Sequence, residues 1–169
     1  FLRQLLHSAP QSDEFPGRPL LKGLEKIFLL IRPSRGSSAA ERGAQLLRDL
    51  CGAETLSYLH RFEFVEGDLS LPQFGLGESE FTKLASRVRS IVHCGASVEL
   101  NQNSASAQEH NISGTEHVLE LARESVRQNG SFGCFYHVST AYVAGDTEST
   151  VRASELRTDG PFRNHYERS

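Results

Sequence analysis

A hydroxyl at the end of an apolar run and a phenol further along the chain can act together on one carbonyl, and this sequence offers such a pair. Ser139-Thr140 follows the run Cys134-Phe135-Tyr136-His137-Val138, and Tyr166 stands 26 residues beyond Thr140. A phenol with an ordinary pKa of about 10 is a poor acid at neutral pH unless a neighbouring cation lowers it. A lysine one helical turn after Tyr166 would supply that cation; it would be residue 170, and the sequence runs to Ser169. Taken alone, a tyrosine in a polar segment is more often structural than catalytic.

Three other places have chemistry to offer. Arg32 follows the apolar run Ile27-Phe28-Leu29-Leu30-Ile31, with Arg35 and Arg42 nearby and no acid before Glu41. In a dinucleotide-binding fold an acid at this strand end bonds the ribose 2′-hydroxyl, whereas an arginine accommodates a 2′-phosphate. A solvated strand end is the plainer reading of Arg32. Gly67-Asp68 closes the run Phe62-Glu63-Phe64-Val65, where the aspartate could bond an adenine amino group or, more commonly, cap the next loop. Cys94-Gly95-Ala96 follows Ser90-Ile91-Val92-His93, and small residues there let the backbone approach a flat ligand closely.

Other sites are excluded by spacing. His110 and His117 lie seven apart on one helix face, but no third ligand stands at a metal-site interval, so no metal is expected and the seven histidines read as surface residues. Gly75-Leu76-Gly77-Glu78-Ser79-Glu80 begins like a phosphate-binding glycine loop but ends in glutamate, ten residues after its strand. Gly130-Ser131-Phe132-Gly133 has its serine one place out for a nucleophile elbow, which argues against serine-hydrolase chemistry.

The elements that must position these residues alternate between helix and strand. Leu2, Leu5 and Leu6 predict the end of an amphipathic helix over residues 1–8, followed by a polar stretch to Gly17. The run 27–31 predicts a strand buried on both faces of a parallel sheet. Ser38-Ala39-Ala40-Glu41 is a capping box that opens a helix with Leu46, Leu47 and Leu50 turned inward. A strand follows at 62–65, a helix at 78–88 around Phe81, Leu84, Ala85 and Val88, and a strand at 90–93. A long helix is expected over about 104–128, with Val118, Leu119, Leu121 and Ala122 inward, then a strand at 134–138 and a polar, irregular remainder. This is an α/β pattern around a parallel sheet, read as one domain over 1–169, whose ligands bind at the carboxyl ends of the strands.

Composition agrees and narrows the function. With 38% hydrophobic residues, 14 glycines and 23% charged residues, the chain of 169 residues is an ordinary globular domain rather than a disordered one. A net charge of −3 gives no electrostatic footprint for nucleic acid, and no apolar run approaches the length of a membrane span. Cys51, Cys94 and Cys134 form no C-x-x-C pair and suit a reducing, cytoplasmic setting. The chain contains no methionine and opens on Phe1, so it reads as a segment of something longer.

Together the stretches IFLLIRPSRGSSAAER, FVEGDLSLPQFGL, SIVHCGASVEL, the Asn-x-x-Gly-Thr of Asn111 to Thr115, HVSTAYVAGD and NHYERS resemble the extended short-chain dehydrogenase/reductases. The similarity is to the branch that holds fatty acyl-CoA reductases and the thioester reductase domains of carboxylic acid reductases and nonribosomal peptide synthetases. The resemblance implies a Rossmann-type, doubly wound parallel sheet. It also implies that the first strand, most of the glycine-rich turn and the C-terminal substrate part lie outside these residues. By the family pattern, Arg32 and Arg42 would hold the 2′-phosphate of NADP(H), and Asp68 and Leu69 would border the adenine. Cys94, Gly95, Ala96 and Ser139 would line the cofactor, Thr140 would polarise the carbonyl and Tyr166 would donate the proton.

The implied activity is NADPH-dependent reduction of an acyl thioester, on CoA or an acyl carrier protein, to an aldehyde or alcohol by a multidomain parent. The segment by itself is expected to be inactive. Two alternatives stand beside it: a nucleotide-sugar epimerase-like dehydrogenase, against which Arg32 argues, and a non-catalytic NADP-sensing module. Any residue but lysine at 170 would favour the sensor.

Overall fold

The computed structural model describes residues 25–54, 59–101, 103–147, 150–152 and 161–169; the expected helix over 1–8 and the polar stretch after it lie outside these. The chain divides into two compact units, Phe1–Asp68 and Leu69–Ser169.

In the first unit, β1 (Ile27–Ile31) and β2 (Phe62–Glu66) pair in parallel, from Ile27 opposite Phe62 to Ile31 opposite Glu66. β2 runs one residue beyond the expected end. Every residue of β1 is half-buried, not buried as its apolar run suggests, because among the described residues β2 is the strand that flanks it. Between them lies helix α1 (Ala39–Cys51), opened by the expected capping box. Ser38 Oγ accepts from the Glu41 N–H at 3.2 Å, and Ser38 N–H donates to Glu41 Oε2 at 2.8 Å. The Ser38 N–H first, and the Ser38 hydroxyl donating to Oε2 at 2.9 Å second, hold the Glu41 carboxyl below its ordinary pKa.

The inward stripe of α1 differs from the one expected. Ala39, Gly43 and Leu47 are buried, whereas Leu46 is 43% exposed. The reason is close packing at Gly43: a Cβ there would stand 2.1 Å from Phe64 Cδ1, so only glycine lets the helix lie on that ring, and the i, i+4 row through Gly43 faces the sheet.

In the second unit, β3 (Ser90–His93) and β4 (Cys134–His137) pair in parallel, from Ser90 opposite Cys134 to His93 opposite His137. β4 ends one residue short of the expected boundary, although Val138 N–H still donates to His93 O at 2.9 Å. The four strands thus stand where the sequence places them, as two parallel pairs with no ladder joining the pairs among the described residues. Helix α2 (Glu78–Arg87) buries Phe81 and Ala85, and the Phe81 ring meets buried Phe74 edge-on at 5.9 Å.

The long helix is present, with one irregularity. It comprises α3 (Ser104–Ala107), a widened turn of π type (Gln108–Ser113) and α4 (Gly114–Asn129). Val118 and Leu121 are buried as expected, while Leu119 and Ala122 are half-buried. At its far end the buried Ser125 donates to Val88 O at 2.5 Å, and Asn129 Nδ2 donates to Ala85 O at 3.1 Å, which fastens α4 to the end of α2. The segment after β4 is not wholly irregular: it holds a 3-10 turn (Ala141–Ala144) and a one-turn helix, α5 (His165–Arg168).

Candidate cofactor and carbonyl sites

In the first unit the parallel register puts the residues that follow β1 beside those that follow β2. Gly67 N–H donates to Ile31 O at 3.1 Å, so the ladder delivers Asp68 to the side of Arg32. The two make a bidentate pair, Arg32 Nε to Asp68 Oδ2 at 2.9 Å and Nη2 to Oδ1 at 3.2 Å. The Arg32 side chain is 56% exposed, so this is an ion pair at a wet surface. Arg42, from the first turns of α1, donates through Nη1 to the Arg32 carbonyl. Glu66 caps the same helix, accepting from Ala39 N–H at 3.2 Å. Arg32, Arg42 and Asp68 are therefore one cluster, in which the guanidinium of Arg32 is a partner of Asp68.

In the second unit the loop after β3 is shaped around Leu69. A Cβ on Gly95 would stand 2.4 Å from Leu69 Cδ1, and one on Gly114 would stand 3.6 Å from Leu69 Cβ. The Leu69 carbonyl accepts from His117 Nδ1 at 2.8 Å, which fixes that ring as the Nδ1–H tautomer. Cys94 and Ala96, on either side of Gly95, are exposed. Leu69 and the Cys94-Gly95-Ala96 turn thus pack together.

The histidines correct the sequence reading. His93 is 4% exposed, and its Nε2 lies 2.9 Å from Thr115 Oγ1. The Thr115 hydroxyl spends its proton on Asn111 O at 2.6 Å, so His93 must be the donor through Nε2–H. Burial first, and the neighbouring His137 second, hold the His93 pKa below the usual histidine value. The two rings lie 5.3 Å apart. His110 has a buried Nδ1 without a partner among the described residues. The seven-residue spacing of His110 and His117 assumed an unbroken helix, but the widened turn contains His110 and shifts the phase.

Asn111 is the residue that spacing arguments passed over. Its Oδ1 accepts from Ser97 N–H at 2.8 Å, and its Nδ2 donates to Ser97 O at 3.2 Å and to Ser169 Oγ at 2.8 Å. One amide therefore ties the loop after β3 to α5, the turn that carries Tyr166. The available signal was the Asn-x-x-Gly-Thr motif itself, whose Thr115 hydroxyl donates back to the Asn111 carbonyl at 2.6 Å.

Ser139 is exposed and Thr140 half-buried. Thr140 caps the 3-10 turn, its Oγ1 accepting from Tyr142 N–H at 3.3 Å. Tyr166 is half-buried in α5, whose first turn is capped by Asn164 Oδ1 accepting from Glu167 N–H at 2.9 Å. The rings of Tyr142 and Tyr166 meet edge to face, 6.3 Å apart.

Known proteins are similar to this chain. Residues 18–169 match the NAD-binding family model described as "Male sterility protein". The chain is 30% identical over 122 residues to fatty acyl-CoA reductase wat of Drosophila melanogaster, covering 70% of this chain and 23% of that protein. It is 26% identical over 146 residues to human fatty acyl-CoA reductase 1, and 41% identical over 119 residues to the glycine betaine reductase ATRR of Emericella nidulans. Those stretches cover 84% and 65% of this chain and 25% and 9% of the respective relatives, so the chain spans about a quarter of the fatty acyl-CoA reductases and less of the larger protein. A crystal structure of the terminal R domain from the myxalamid PKS-NRPS pathway superposes with a TM-score of 0.69 at 26% identity, covering 85% of this chain and 35% of that one. Among the described residues no helix is long and apolar enough to cross a membrane. The parallel strand pairs, the ordered strand-end residues and these matches agree, and the chain belongs to the male sterility NAD-binding family, the fatty acyl-CoA and thioester reductase branch of the extended short-chain dehydrogenase/reductases.

Proposed function

We propose that this chain is part of an NADPH-dependent reductase of acyl thioesters, carried on CoA or on an acyl carrier protein, that forms an aldehyde or alcohol. The observation that supports the reading is that Tyr142 touches both residues assigned to the reaction, its backbone N–H donating to Thr140 Oγ1 and its ring meeting the Tyr166 ring. The residues present suit a nicotinamide dinucleotide. In the first unit, Asp68 holds Arg32 through Nε and Nη2 and leaves Nη1 out of that pair, and the Arg42 guanidinium reaches the Arg32 carbonyl, so two guanidinium groups suited to a phosphate lie on one strand end. In the second, Gly95 keeps the loop after β3 free of a Cβ. When bound, the reduced cofactor supplies the hydride for the thioester carbonyl carbon. Thr140 accepts from a backbone N–H, so its own proton is free to be donated to the carbonyl oxygen, where it stabilises developing negative charge. Tyr166 would protonate that oxygen as hydride adds; collapse of the resulting hemithioacetal takes the proton back, expels the thiol and leaves the aldehyde, and only a second hydride and proton carry it on to the alcohol.

The test is loss of NADPH absorbance with a long-chain acyl-CoA, using the gene product that carries this chain. Thr140→Ala and Tyr166→Phe should each lower kcat by roughly 10²-fold or more. Arg32→Glu should weaken NADPH by about 10–100-fold, the worth of one or two charge-assisted bonds, and leave NADH little changed. Equal losses for the two cofactors would remove the phosphate assignment. Tight NADPH binding with no turnover on any acyl thioester would favour a sensor.

A further inference from the structure

Tyr142 is 54% exposed, yet it is held at three points. Its N–H donates to Thr140 Oγ1 at 3.3 Å, its carbonyl accepts from Gly145 N–H at 3.0 Å, and its ring lies edge-on to Tyr166 at an interplanar angle of 72°. An aromatic side chain so exposed adds little to a core, so burial does not explain why the turn fixes it. Its contacts run instead between the hydroxyl and the phenol on which the proposed chemistry depends.

The segments behind it are clasped as well. Gly145 ends the turn with φ +67°, in the left-handed region open to glycine, and a Cβ there would stand 3.1 Å from Pro161 O and 3.3 Å from the Phe162 ring. Asp146 N–H donates to Pro161 O at 2.8 Å, and the Asp146 carboxylate pairs with Arg163. Arg163 N–H in turn donates to Glu167 Oε2 at 2.8 Å, in the turn that carries Tyr166. This clasp brings the backbone ahead of Tyr166 to the segment that follows Tyr142, and the ring contact then sets the orientation of the phenol.

We propose that Tyr142 is a positioning residue: its backbone orients the Thr140 hydroxyl and its ring orients the Tyr166 ring, so that both address one carbonyl oxygen. The inference rests on the assignment of Thr140 and Tyr166 made above. A phenyl ring suffices for the contact, so the Tyr142 hydroxyl is dispensable and its aromatic face is not.

Two measurements on the gene product that carries this chain test it. In NADPH-dependent acyl-CoA reduction, Tyr142→Phe should keep kcat within about twofold, while Tyr142→Leu should lower kcat by roughly tenfold or more with the KM for NADPH unchanged, as expected when reacting groups are misplaced but the cofactor still binds. Independently of activity, 3-fluorotyrosine placed at position 166 should give a ¹⁹F resonance that keeps its shift in Tyr142→Phe and moves in Tyr142→Leu, because the edge-to-face ring current is lost. Wild-type kcat and an unmoved resonance in Tyr142→Leu would overturn the proposal and leave the clasp as the positioning device. A Tyr142→Phe protein as impaired as Tyr142→Leu would also overturn it. Full activity in Tyr166→Phe would instead overturn the catalytic assignment, while the ¹⁹F shift would still judge the ring contact.

Discussion

At the carboxyl ends of β1 and β2 the polar groups form a charged, wet cluster, whereas beside the end of β3 a neutral, part-buried network gathers around His93. Arg32, Arg42 and Asp68 meet at a surface where the Arg32 side chain is 56% exposed. His93, Thr115 and Asn111 form a chain of hydrogen bonds in which His93 is 4% exposed. The difference teaches what each end can do. A wet ion pair is weak and easily redirected, so it suits a ligand that must itself bring a charge. A neutral, part-buried network is costly to break and fixes geometry, which suits the strand ends from which Thr140 and the loop after β3 emerge.

The largest test of that contrast is steric. Gly43→Ala in the first unit and Gly133→Ala in the second both intrude on close contacts, with a Cβ 2.1 Å from the Phe64 ring in one case, and 2.5 Å from Ser90 Oγ and 2.9 Å from Arg89 O in the other. Each should destabilise the protein by about 1–3 kcal/mol, as overpacking does. The ring at Gly43 can turn aside, but the Arg89 carbonyl already accepts the Gly133 N–H at 2.6 Å and cannot retreat without loosening the start of β4. Urea titration of the two variants should show the larger loss for Gly133→Ala.

A smaller effect separates the two ends by pH. The folded-state pKa of His93 lies below the ordinary 6.5, so the unfolded chain takes up a proton first as pH falls. The contribution of His93 is therefore fully present above about pH 6.5 and diminishes as pH drops from there towards the folded value. His93→Gln, which can still donate to Thr115, should flatten that part of the stability–pH curve. A slope equal to wild type between pH 7 and 5 would show that His93 is not held neutral.

The smallest effect belongs to the charged end. Asp68→Asn should change stability by less than about 1 kcal/mol, and added salt should erase most of that change, because an exposed pair is screened. A loss of several kcal/mol that persists in high salt would mean that the two strand ends are built alike.

Much of this was open to reading from residue order. The capping box at Ser38 and Glu41, the four strands and the buried positions Phe81, Ala85, Val118 and Leu121 follow from local periodicity and side-chain hydrogen bonding, which depend on neighbours a few residues away. The positions of Arg32, Asp68, Gly95 and Thr140 just after their strands were findable for the same reason, since each follows from where its strand stops. The exposure of Leu46 was not, because it is decided by how closely α1 can approach Phe64, a residue of the next strand. Nor was the burial of His93, which a four-residue strand cannot announce without the helix that covers it.

What the sequence determined by itself, then, is the order of strands and helices, the family and the set of polar residues placed at strand ends. The tertiary structure decided which of those residues touch. Arg32 found Asp68 across 36 positions, Asn111 found Ser169 across 58, and Tyr142 came to lie between Thr140 and Tyr166. Such pairings are set by strand register, by a widened helical turn and by the clasp at Asp146 and Arg163, all of which exist only once distant segments have packed. Hydrogen bonds and ion pairs act over a few ångströms, and distance along the chain does not report distance in space.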